Sequence, residues 1–363
     1  MYLKRLTLHN LRNYSDETFT FNDGVNVFVG ANAQGKTNVA ESIFFACTGY
    51  SPRANRDREL IKQGENDAFI LAEAESAFGS VSIEVRLSQD GEKEVFVNGV
   101  KLNKMGELFG NINSVFFNPQ ELKLVQESPE DRRRFMNISL SQMSKRYFYA
   151  LLRYNKILEQ RNNLLKSHDR HMVLETLPIW DESLCKESAK IFSMRNEFLD
   201  KISPYCVDAH TKLSGGLEEL KMTAENALFG TEEEIASLAY IKLRESEEKD
   251  LKLGYTTFGP HRQDIKFTVN DIDVRKYGSQ GQQRTVALSL KIGETRLFKE
   301  TTGEYPILIL DDVFSELDKK RQRMLIKSLE GIQTILTATH IEKAVFGKTP
   351  FSKFTIEKGK LKR

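Results

Sequence analysis

The first 120 residues form short apolar runs interrupted by polar positions, a pattern typical of strands with one buried face. The pairs Asp90-Gly91 and Asn98-Gly99 are hairpin turn signals between such runs. One segment, from residue 36 to about residue 47, instead has the character of a long helix. We therefore predict a strand-rich region that contains this helix. The predicted strands cover residues 4–10, 17–21, 25–29, 69–75, 81–87, 94–97 and 114–117.

Helical periodicity dominates from about residue 121 to residue 252, for example in 135–165 and 184–213. Pro178 and Pro204 are predicted to break helices, because proline removes a backbone donor. This region therefore has the pattern of a helical lobe.

Strands return from residue 255, and a helix follows from Gln282. The apolar runs 307–310 and 332–337 are short and bounded by polar residues, as buried parallel strands are. We therefore predict an α/β fold in two parts. Residues 1–120 and 255–363 form one domain, and residues 121–254 form a helical insertion.

Composition adds several constraints. A chain of 363 residues suits two domains, or one large domain with an insertion. Lysine and arginine total 53 against 51 acidic residues, so no global charge excess favours nucleic acid. The three cysteines include no C-x-x-C pair, which argues against a zinc site or a disulfide framework. The same cysteine usage fits a reducing cytoplasm, where we expect the protein to lie. No run approaches about 18 apolar residues, so we expect no membrane span and no membrane partner.

Residues 30–37 match the G-x-x-x-x-G-K-[ST] pattern of a phosphate-binding loop, placed between a predicted strand and a predicted helix. The two glycines allow backbone N–H groups to turn toward an anion. Lys36 can reach the terminal phosphates, and the Thr37 hydroxyl can bind Mg²⁺, which prefers oxygen ligands. The pattern predicts ATP as the ligand. The candidate residues are Gly30, Ala31, Asn32, Ala33, Gln34, Gly35, Lys36 and Thr37.

Two acids, Asp311 and Asp312, follow the apolar run 307–310. In phosphate-loop ATPases the first acid holds Mg²⁺, and the second orients or deprotonates the attacking water. Two acids after a strand also fit an ordinary acidic turn. Their interpretation as ATPase residues therefore depends on the phosphate-binding loop at residues 30–37. Together they predict an ATPase with Thr37 and Asp311 as metal ligands and Asp312 as a catalytic residue.

A second anion site is predicted where Ser279, Gly281 and Gln282 open a helix, because a helix N-terminus presents free N–H groups. These residues resemble the signature motif of the ABC-type ATPases, and residues 315–318 resemble the D-loop of that class. The resemblance implies that the signature of one subunit closes over ATP held by the other. The run 213–216 matches the transporter form of the signature better. It lies near the end of the helical insertion, so we interpret it as a glycine-ended helix terminus.

Four further motifs lie at residues 8–14, 132–135, 259–264 and 279–283. Together they resemble the RecF family, which is related to the SMC ATPases. The resemblance covers most of the chain, from the first strand to Asp318, although Gln263 stands where an acid is common in the family. It implies an ABC-type ATPase head, with a mixed sheet around the phosphate-loop helix and an inserted helical lobe.

The same resemblance implies ATP-dependent homodimerisation, weak ATP hydrolysis and DNA binding. The expected DNA is single-stranded or a gapped duplex junction. The expected partners are RecR, with RecO and then RecA, which is loaded at single-strand gaps in DNA repair, replication and the SOS response. The location implied is the bacterial nucleoid in the cytoplasm.

Several residues keep two interpretations. Gln120 follows the run 114–117. In ABC-type ATPases a glutamine at such a position touches Mg²⁺ and the attacking water, but Gln120 also fits an ordinary helix start. His340 could sense the γ-phosphate, and Thr339 competes for that role. Asn10, Arg12 and Asn13 line the nucleotide or form a solvated strand end.

Residues 131–166 contain nine basic side chains against two acids, whereas residues 211–250 contain ten acids and five basic residues. The first segment suits phosphates, because a near-neutral chain can bind DNA through a basic stripe. The alternative is that these charges lie on solvated helix faces and that the interleaved aromatic residues belong to the core. The candidate DNA contacts are Arg132, Arg133, Arg146 and Arg153.

Two other classes of protein are possible. A transporter-type ATPase subunit shares the phosphate loop and the signature, but the helical insertion and the basic stripe speak against it. A metabolic phosphate-loop kinase leaves residues 279–283 unexplained.

Overall fold

A computed structural model describes residues 1–362, apart from the side chain of Glu316. Arg363, the last residue of the predicted domain, lies outside the described residues. The strands are β1 (Tyr2–Leu11), β2 (Tyr14–Thr20), β3 (Val25–Val29), β4 (Asp67–Ser76), β5 (Gly79–Ser88), β6 (Lys93–Val97), β7 (Val100–Lys101), β8 (Ser114–Phe117), β9 (Leu220–Glu225), β10 (Asp264–Val269), β11 (Ile272–Asp273), β12 (Ile307–Asp311), β13 (Thr334–Ala338), β14 (Phe351–Glu357) and β15 (Lys360–Lys362). The helices are α1 (Lys36–Thr48), α2 (Lys123–Gln126), α3 (Pro129–Met143), α4 (Lys145–Leu165), α5 (Arg170–Ser214), α6 (Glu232–Leu253), α7 (Val274–Tyr277), α8 (Gln280–Thr302), α9 (Lys319–Ser328) and α10 (Lys343–Phe346).

One sheet of six antiparallel strands has the order β2-β1-β4-β5-β6-β7. Its strands bury alternate residues, which confirms the strands predicted from the apolar pattern. The hairpins turn at Gly91 and Gly99, which have φ of 90° and 78°, as the turn signals predict.

A second six-stranded sheet has the order β15-β14-β3-β13-β12-β8 and is parallel except for β15. All residues of β12 and β13 are buried, as expected for a parallel sheet covered on both faces. Helix α1 lies between the two large sheets, because its Ile43 and Phe45 share one apolar cluster with Ile70 and Ile309. This arrangement confirms the predicted mixed sheet around the phosphate-loop helix.

Helix α8 packs with the other face of the parallel sheet, where Val286 and Leu290 share an apolar cluster with Val27 and Leu310. The long helix α5 packs against α8, α4 and α6. A predominantly helical region therefore lies on the side of the parallel sheet opposite the antiparallel sheet.

The prediction that two prolines break helices is wrong, because Pro178 and Pro204 both lie inside α5, which spans 45 residues. Each proline leaves the carbonyl four residues earlier without its helical donor. Those carbonyls belong to Leu174 and Asp200, which are exposed residues, so water can satisfy them. The buried face of α5 continues past both prolines and stabilises the helix despite the loss.

A small antiparallel sheet joins β9 to β10 and β11. Strand β9 belongs to the predicted insertion, 121–254, whereas β10 and β11 belong to the predicted head. The sheet therefore crosses the proposed boundary at residue 254. The division into two domains stays a prediction.

A buried charge network ties three helical elements together. Arg161 of α4 donates to Asp181 of α5 at 2.6 Å and to Asp250 of α6 at 2.8 Å, and all three side chains are fully buried. Arg161 also donates to the hydroxyl of Thr256 at 2.8 Å. Because each ion is paired, the network fixes how these helices pack.

Next to this network, His261 is held as a neutral imidazole. Its Nδ1 lies 2.5 Å from the hydroxyl of Tyr154, and its Nε2 lies 3.0 Å from the carbonyl oxygen of Thr256. The neutral form with a proton on Nε2 satisfies both contacts. Burial lowers the pKa of His261 from 6.5 to about 4.

We expect His261 to make the protein less stable in acid. Between pH 6.5 and about 4 the unfolded chain binds a proton at this residue and the folded chain does not, so stability falls as the pH falls. The loss approaches about 1.4 kcal/mol per pH unit in that window. Urea unfolding at pH 7 and pH 5 should therefore show a smaller loss for His261→Gln than for the wild type. The exposed His168→Gln should behave as the wild type, and equal losses in all three proteins would contradict the assignment.

Candidate nucleotide-binding site

The phosphate-binding loop connects β3 to α1, and its shape depends on two glycines. A Cβ at Gly30 would lie 2.4 Å from the carbonyl oxygen of Ile356, so a larger residue would force the backbone apart. Gly35 has φ of 114°, and a Cβ there would lie 2.7–2.8 Å from side-chain atoms of Asn13 and Tyr14. The loop thus packs through its backbone alone, as a loop that wraps a phosphate must.

Residues near the chain start hold this loop from behind. The amide of Asn13 donates to the carbonyl of Gln34 at 2.9 Å, and the hydroxyl of Tyr14 donates to the carbonyl of Gly35 at 3.1 Å. Asn38 donates to Asn13 at 2.8 Å, so α1 is included in the same support. Asn13 therefore supports the loop and is not a solvated strand end. Tyr14 belongs to the motif at 8–14, but its contact with the loop could not be predicted from the sequence.

Arg12 pairs with Glu41 of α1 through two hydrogen bonds, of 3.0 and 2.9 Å. Glu41 is only 1% exposed, so this bidentate pair anchors the first β-hairpin to the phosphate-loop helix. Asn10 lies beside His9, with 3.1 Å between Nδ2 and Nε2.

Lys36 is the first residue of α1, and its ammonium group lies inside the loop. It donates to the carbonyls of Gly30 and Ala31 at 2.6 and 2.8 Å. Burial lowers the pKa of Lys36, and the neighbouring Asp312 and Asp311 act in the opposite direction. A cation held at this place is positioned to bind the phosphates of a nucleotide.

The Asp311 carboxylate accepts two hydroxyl hydrogen bonds on one oxygen. Thr37 donates at 2.9 Å and Thr337, on the neighbouring strand β13, donates at 2.6 Å. Burial raises the pKa of Asp311, while these two hydrogen bonds act to lower it. The Thr37 hydroxyl and the Asp311 carboxylate are hard oxygen ligands within contact of each other, so the donor set fits Mg²⁺. Thr337 was not predicted, although a threonine inside a fully buried strand is a signal of a polar contact.

Asp312 follows with a left-handed backbone, φ 54° and ψ 28°. Its N–H donates to the hydroxyl of Thr337 at 3.0 Å. Its Oδ1 is buried and has no hydrogen-bond partner within residues 1–362. An unsatisfied carboxylate oxygen beside the phosphate loop is suited to accept a proton from water.

The other two candidate catalytic residues lie at the same edge of the sheet. Strands β8, β12, β13 and β3 are parallel neighbours, so their carboxyl ends lie together. Gln120 follows β8 in the turn Pro119–Leu122, and His340 follows β13 with Thr339 before it. All three side chains are exposed. Their roles toward the nucleotide stay predictions.

The signature residues form the N-terminus of α8. Ser279 is its N-cap, accepting from the N–H of Gln282 at 3.2 Å, while the Gln282 side chain accepts from the N–H of Ser279 at 2.9 Å. Ser279 is exposed, and Gly281 faces the guanidinium of Arg321, 3.4 Å from the position of a Cβ. The competing run 213–216 ends α5, where Gly215 has φ of 73°, which confirms the prediction of a glycine-ended terminus.

The D-loop candidates connect the carboxylates to α9. Ser315 donates to the carbonyl of Asp312 at 2.7 Å, and Asp318 caps α9 by accepting from the N–H of Arg321 at 2.9 Å. The side chain of Glu316, in the same candidate segment, lies outside the described residues.

The prediction that Arg132 contacts DNA is wrong, because its side chain is only 2% exposed. Its guanidinium donates to both oxygens of Asp264, at 2.5 and 3.0 Å. Arg161 of the same basic stripe is also fully buried. The helical period places these two arginines on core-facing sides of α3 and α4, so the stripe is interrupted.

The remaining candidates are accessible to different degrees. Arg146 is 62% exposed and pairs with Glu232, and Arg153 is 51% exposed and pairs with Glu187 at 3.0 Å. Arg133 is partly buried and donates to the carbonyl of Gln263 at 3.1 Å. Burial, together with the nearby Arg195, lowers the pKa of Arg133.

Gln263, the departure from the family pattern, lies against a buried arginine. Its side-chain oxygen accepts from the buried guanidinium of Arg195 at 3.1 Å, while its Nε2 is buried without a partner among the described residues. The amide oxygen of Gln263 is one acceptor for Arg195. The amide nitrogen is a donor, so it cannot supply the second acceptor that an acid would have at this place.

Comparison with known proteins provides independent findings. The family model described as the RecF/RecN/SMC N terminal domain matches residues 2–348. The DNA replication and repair protein RecF of Clostridium acetobutylicum is 41% identical over 367 residues, covering 99% of each chain. The protein of the same name from Alkaliphilus oremlandii is 44% identical over 94% of each chain.

Solved structures agree with these relatives. A structure of the recombination mediator protein RecF with ATP, in the RecFOR pathway, has a TM-score of 0.90 at 36% identity, covering 99% of this chain and 97% of that one. An Smc head bound to the C-winged helix domain of ScpA has a TM-score of 0.60 at 16% identity, covering 100% of this chain and 96% of that one, and it shows the fold alone. Nothing in these relatives supports a transporter subunit. Within residues 1–362, no helix has both the length and the apolar character needed to cross a membrane.

Proposed function

Because the chain belongs to the RecF family, we propose that it is an ATP-gated DNA clamp that acts in DNA repair, replication and recombination. One observation carries the proposal. The Thr37 hydroxyl of the phosphate-binding loop and the Asp311 carboxylate of the acidic strand meet at 2.9 Å, near the Lys36 ammonium. Beside them lies a carboxylate oxygen of Asp312 that has no hydrogen-bond partner among the described residues. These contacts support a nucleotide site, a metal site and a candidate base that are brought together from distant parts of the chain.

In this proposal the residues divide the work. Residues 30–36 bind the phosphates of ATP, and Thr37 with Asp311 hold Mg²⁺, which would neutralise phosphate charge when bound. Asp312 accepts a proton from the attacking water, with Gln120 and His340 as candidate groups that position the water or sense the γ-phosphate. The side chain of Asp312 is one methylene shorter than a glutamate at this position would be. This supports slow hydrolysis, which would act as a timer for the release of the dimer.

The signature turn acts on a second copy of the chain. Ser279, Gly281 and Gln282 reach the γ-phosphate bound by the partner, so ATP joins two protomers and hydrolysis releases them. The exposure of Ser279 at a helix N-terminus supports this role, because the free N–H groups there favour an anion.

The proposed substrate is single-stranded DNA or a gapped duplex junction, and the proposed partners are RecR and RecO, followed by loading of RecA. The setting would be the SOS response, at the nucleoid in the bacterial cytoplasm. Arg133, Arg146 and Arg153 are the proposed DNA contacts. The exposed ion pair of Arg146 with Glu232 holds the guanidinium with only about 0–1 kcal/mol, so a DNA phosphate can compete for it.

We expect Mg-ATP to convert the wild type from monomer to dimer and to increase its retention on gapped DNA. Ser279→Arg should bind ATP but remain monomeric, because an arginine side chain fills the place of the partner's γ-phosphate. Lys36→Ala should fail at the earlier step, with weaker ATP binding. Sedimentation and gapped-DNA binding, with and without ATP, measure both effects.

One control variant makes this test specific. Ser237→Arg introduces the same side chain at an exposed position of α6 and should behave as the wild type. Dimerisation of the wild type to the same extent without nucleotide, or normal dimerisation of Ser279→Arg, would refute the clamp.

A further inference from the structure

The signature turn is held from outside its own helix by two residues that belong to none of the motifs. Glu218 lies in the segment between α5 and β9, and His210 lies in the last turns of α5. Both contact the α8 region that begins with Ser279. They therefore connect the long helix of the lobe to the proposed γ-phosphate site.

Gln282 is fixed at both ends of its side-chain amide. Its oxygen accepts from the N–H of Ser279 at 2.9 Å, and its Nε2 donates to Oε1 of Glu218 at 3.0 Å. Capping of α8 uses only the oxygen of this amide. The contact with Glu218 is thus an additional constraint on the side chain that orients Ser279.

Glu218 is itself held by a buried imidazole. Its second oxygen lies 3.1 Å from Nε2 of His210, whose side chain is fully buried. The Nδ1 of His210 lies 3.4 Å from the hydroxyl of Ser289, in the core-facing part of α8. Burial lowers the pKa of His210, which favours the neutral ring, and a proton on Nε2 can then bond to Glu218. Glu218, at 21% exposure, is consequently oriented from its buried side.

We propose that Glu218, oriented by His210, is a positioning residue that sets the geometry of residues 279–282 for the partner's γ-phosphate. This inference rests on the proposed ATP-driven dimer. Neither residue touches the nucleotide of its own chain in this scheme. Loss of Glu218 should therefore weaken the joining of two protomers and leave ATP binding by the single chain unchanged.

The test compares Glu218→Ala with Glu218→Gln and with Glu219→Ala. The glutamine keeps a carbonyl oxygen for Nε2 of Gln282, and its amide can donate to the other tautomer of His210. Glu219 is the adjacent residue, with a side chain that is 68% exposed and lies 3.5 Å from Lys221. It is a matched control for the removal of one carboxylate.

Sedimentation over a range of protein concentrations gives the dimer dissociation constant in saturating Mg-ATP, and a fluorescent ATP analogue gives the nucleotide affinity of the monomer. For Glu218→Ala we expect dimerisation weaker by about 10- to 100-fold, from the loss of a charge-assisted hydrogen bond, with unchanged monomer affinity. Glu218→Gln should recover most of the loss, and Glu219→Ala should match the wild type. Thermal melting checks that each variant is folded.

The outcomes separate the two proposals. If the wild type dimerises on ATP and Glu218→Ala dimerises equally well, the positioning role is refuted and the clamp stands. If Glu218→Ala and Glu218→Gln are equally impaired and both melt earlier, Glu218 is only structural, which also refutes it. A wild type that does not dimerise on ATP refutes the clamp and this inference together.

Discussion

Asp312→Asn is expected to slow ATP hydrolysis by about 10²- to 10⁴-fold, the usual contribution of a positioned general base. The buried oxygen of Asp312, which has no hydrogen-bond partner in the part of the chain that the structure describes, is the proposed proton acceptor, and an amide cannot take that proton. Asparagine has the same size and tolerates the left-handed backbone at φ 54°. ATP affinity and dimerisation should therefore persist, and the dimer should dissociate more slowly than that of the wild type.

Phosphate release at saturating Mg-ATP and dimer lifetime after dilution are the two measurements. Asp90→Asn, in the turn between β5 and β6, is the control for the same chemical change elsewhere and should match the wild type. Asp312→Ala is a poorer variant, because alanine adds backbone strain in this conformation. Hydrolysis by Asp312→Asn within about threefold of the wild-type rate would exclude Asp312 as the base.

Arg161→Met is expected to destabilise the protein by about 3–5 kcal/mol, the range for removal of one partner from a buried ion network. Methionine fills much of the space of the arginine stem but leaves Asp181 and Asp250 buried without their cation. The helices α4, α5 and α6 meet at this network, so the loss should be concentrated in the helical region. Urea unfolding followed by circular dichroism measures the change in the free energy of unfolding.

Arg146→Met is the matched control on the same helix. Arg146 is 62% exposed and pairs with Glu232, so its replacement should change stability by no more than about 1 kcal/mol. The double variant Arg161→Met with Asp181→Leu should recover part of the loss, because one of the two unpaired carboxylates is then removed. Similar stability of Arg161→Met and Arg146→Met would show that the buried network contributes little.

Features encoded over short distances could be predicted from the sequence. The strands, the phosphate-binding loop and the two acids after an apolar run depend on local periodicity or spacing. The structure places the loop and the two acids together at one edge of the parallel sheet. Contacts between distant segments could not be predicted. Tyr14 supports Gly35, Thr337 contacts Asp311, and Glu218 lies 64 positions from Gln282.

Two errors have different physical causes. Arg132 was interpreted by its charge, although Phe135, Met136 and Ser139 at helical spacing from it are also buried and indicate a core-facing side. The helical spacing therefore indicated that Arg132 is buried, but the interpretation followed the charge of its side chain. The prolines of α5 followed a correct local rule, but packing of the long buried face overrode it, and no local pattern reports that packing.

The length of α5 has a mechanical consequence. At 1.5 Å per residue its 45 residues extend about 68 Å, from Arg170 to Ser214, and His210 lies near the second end. A macromolecule bound at the Arg170 end of α5 could therefore move the turn that begins with Ser279 through the length of the helix. Pro178 and Pro204 each remove one backbone hydrogen bond, so α5 would bend most easily at these two residues. Their flexibility would therefore determine how much of an applied force is transmitted along the helix.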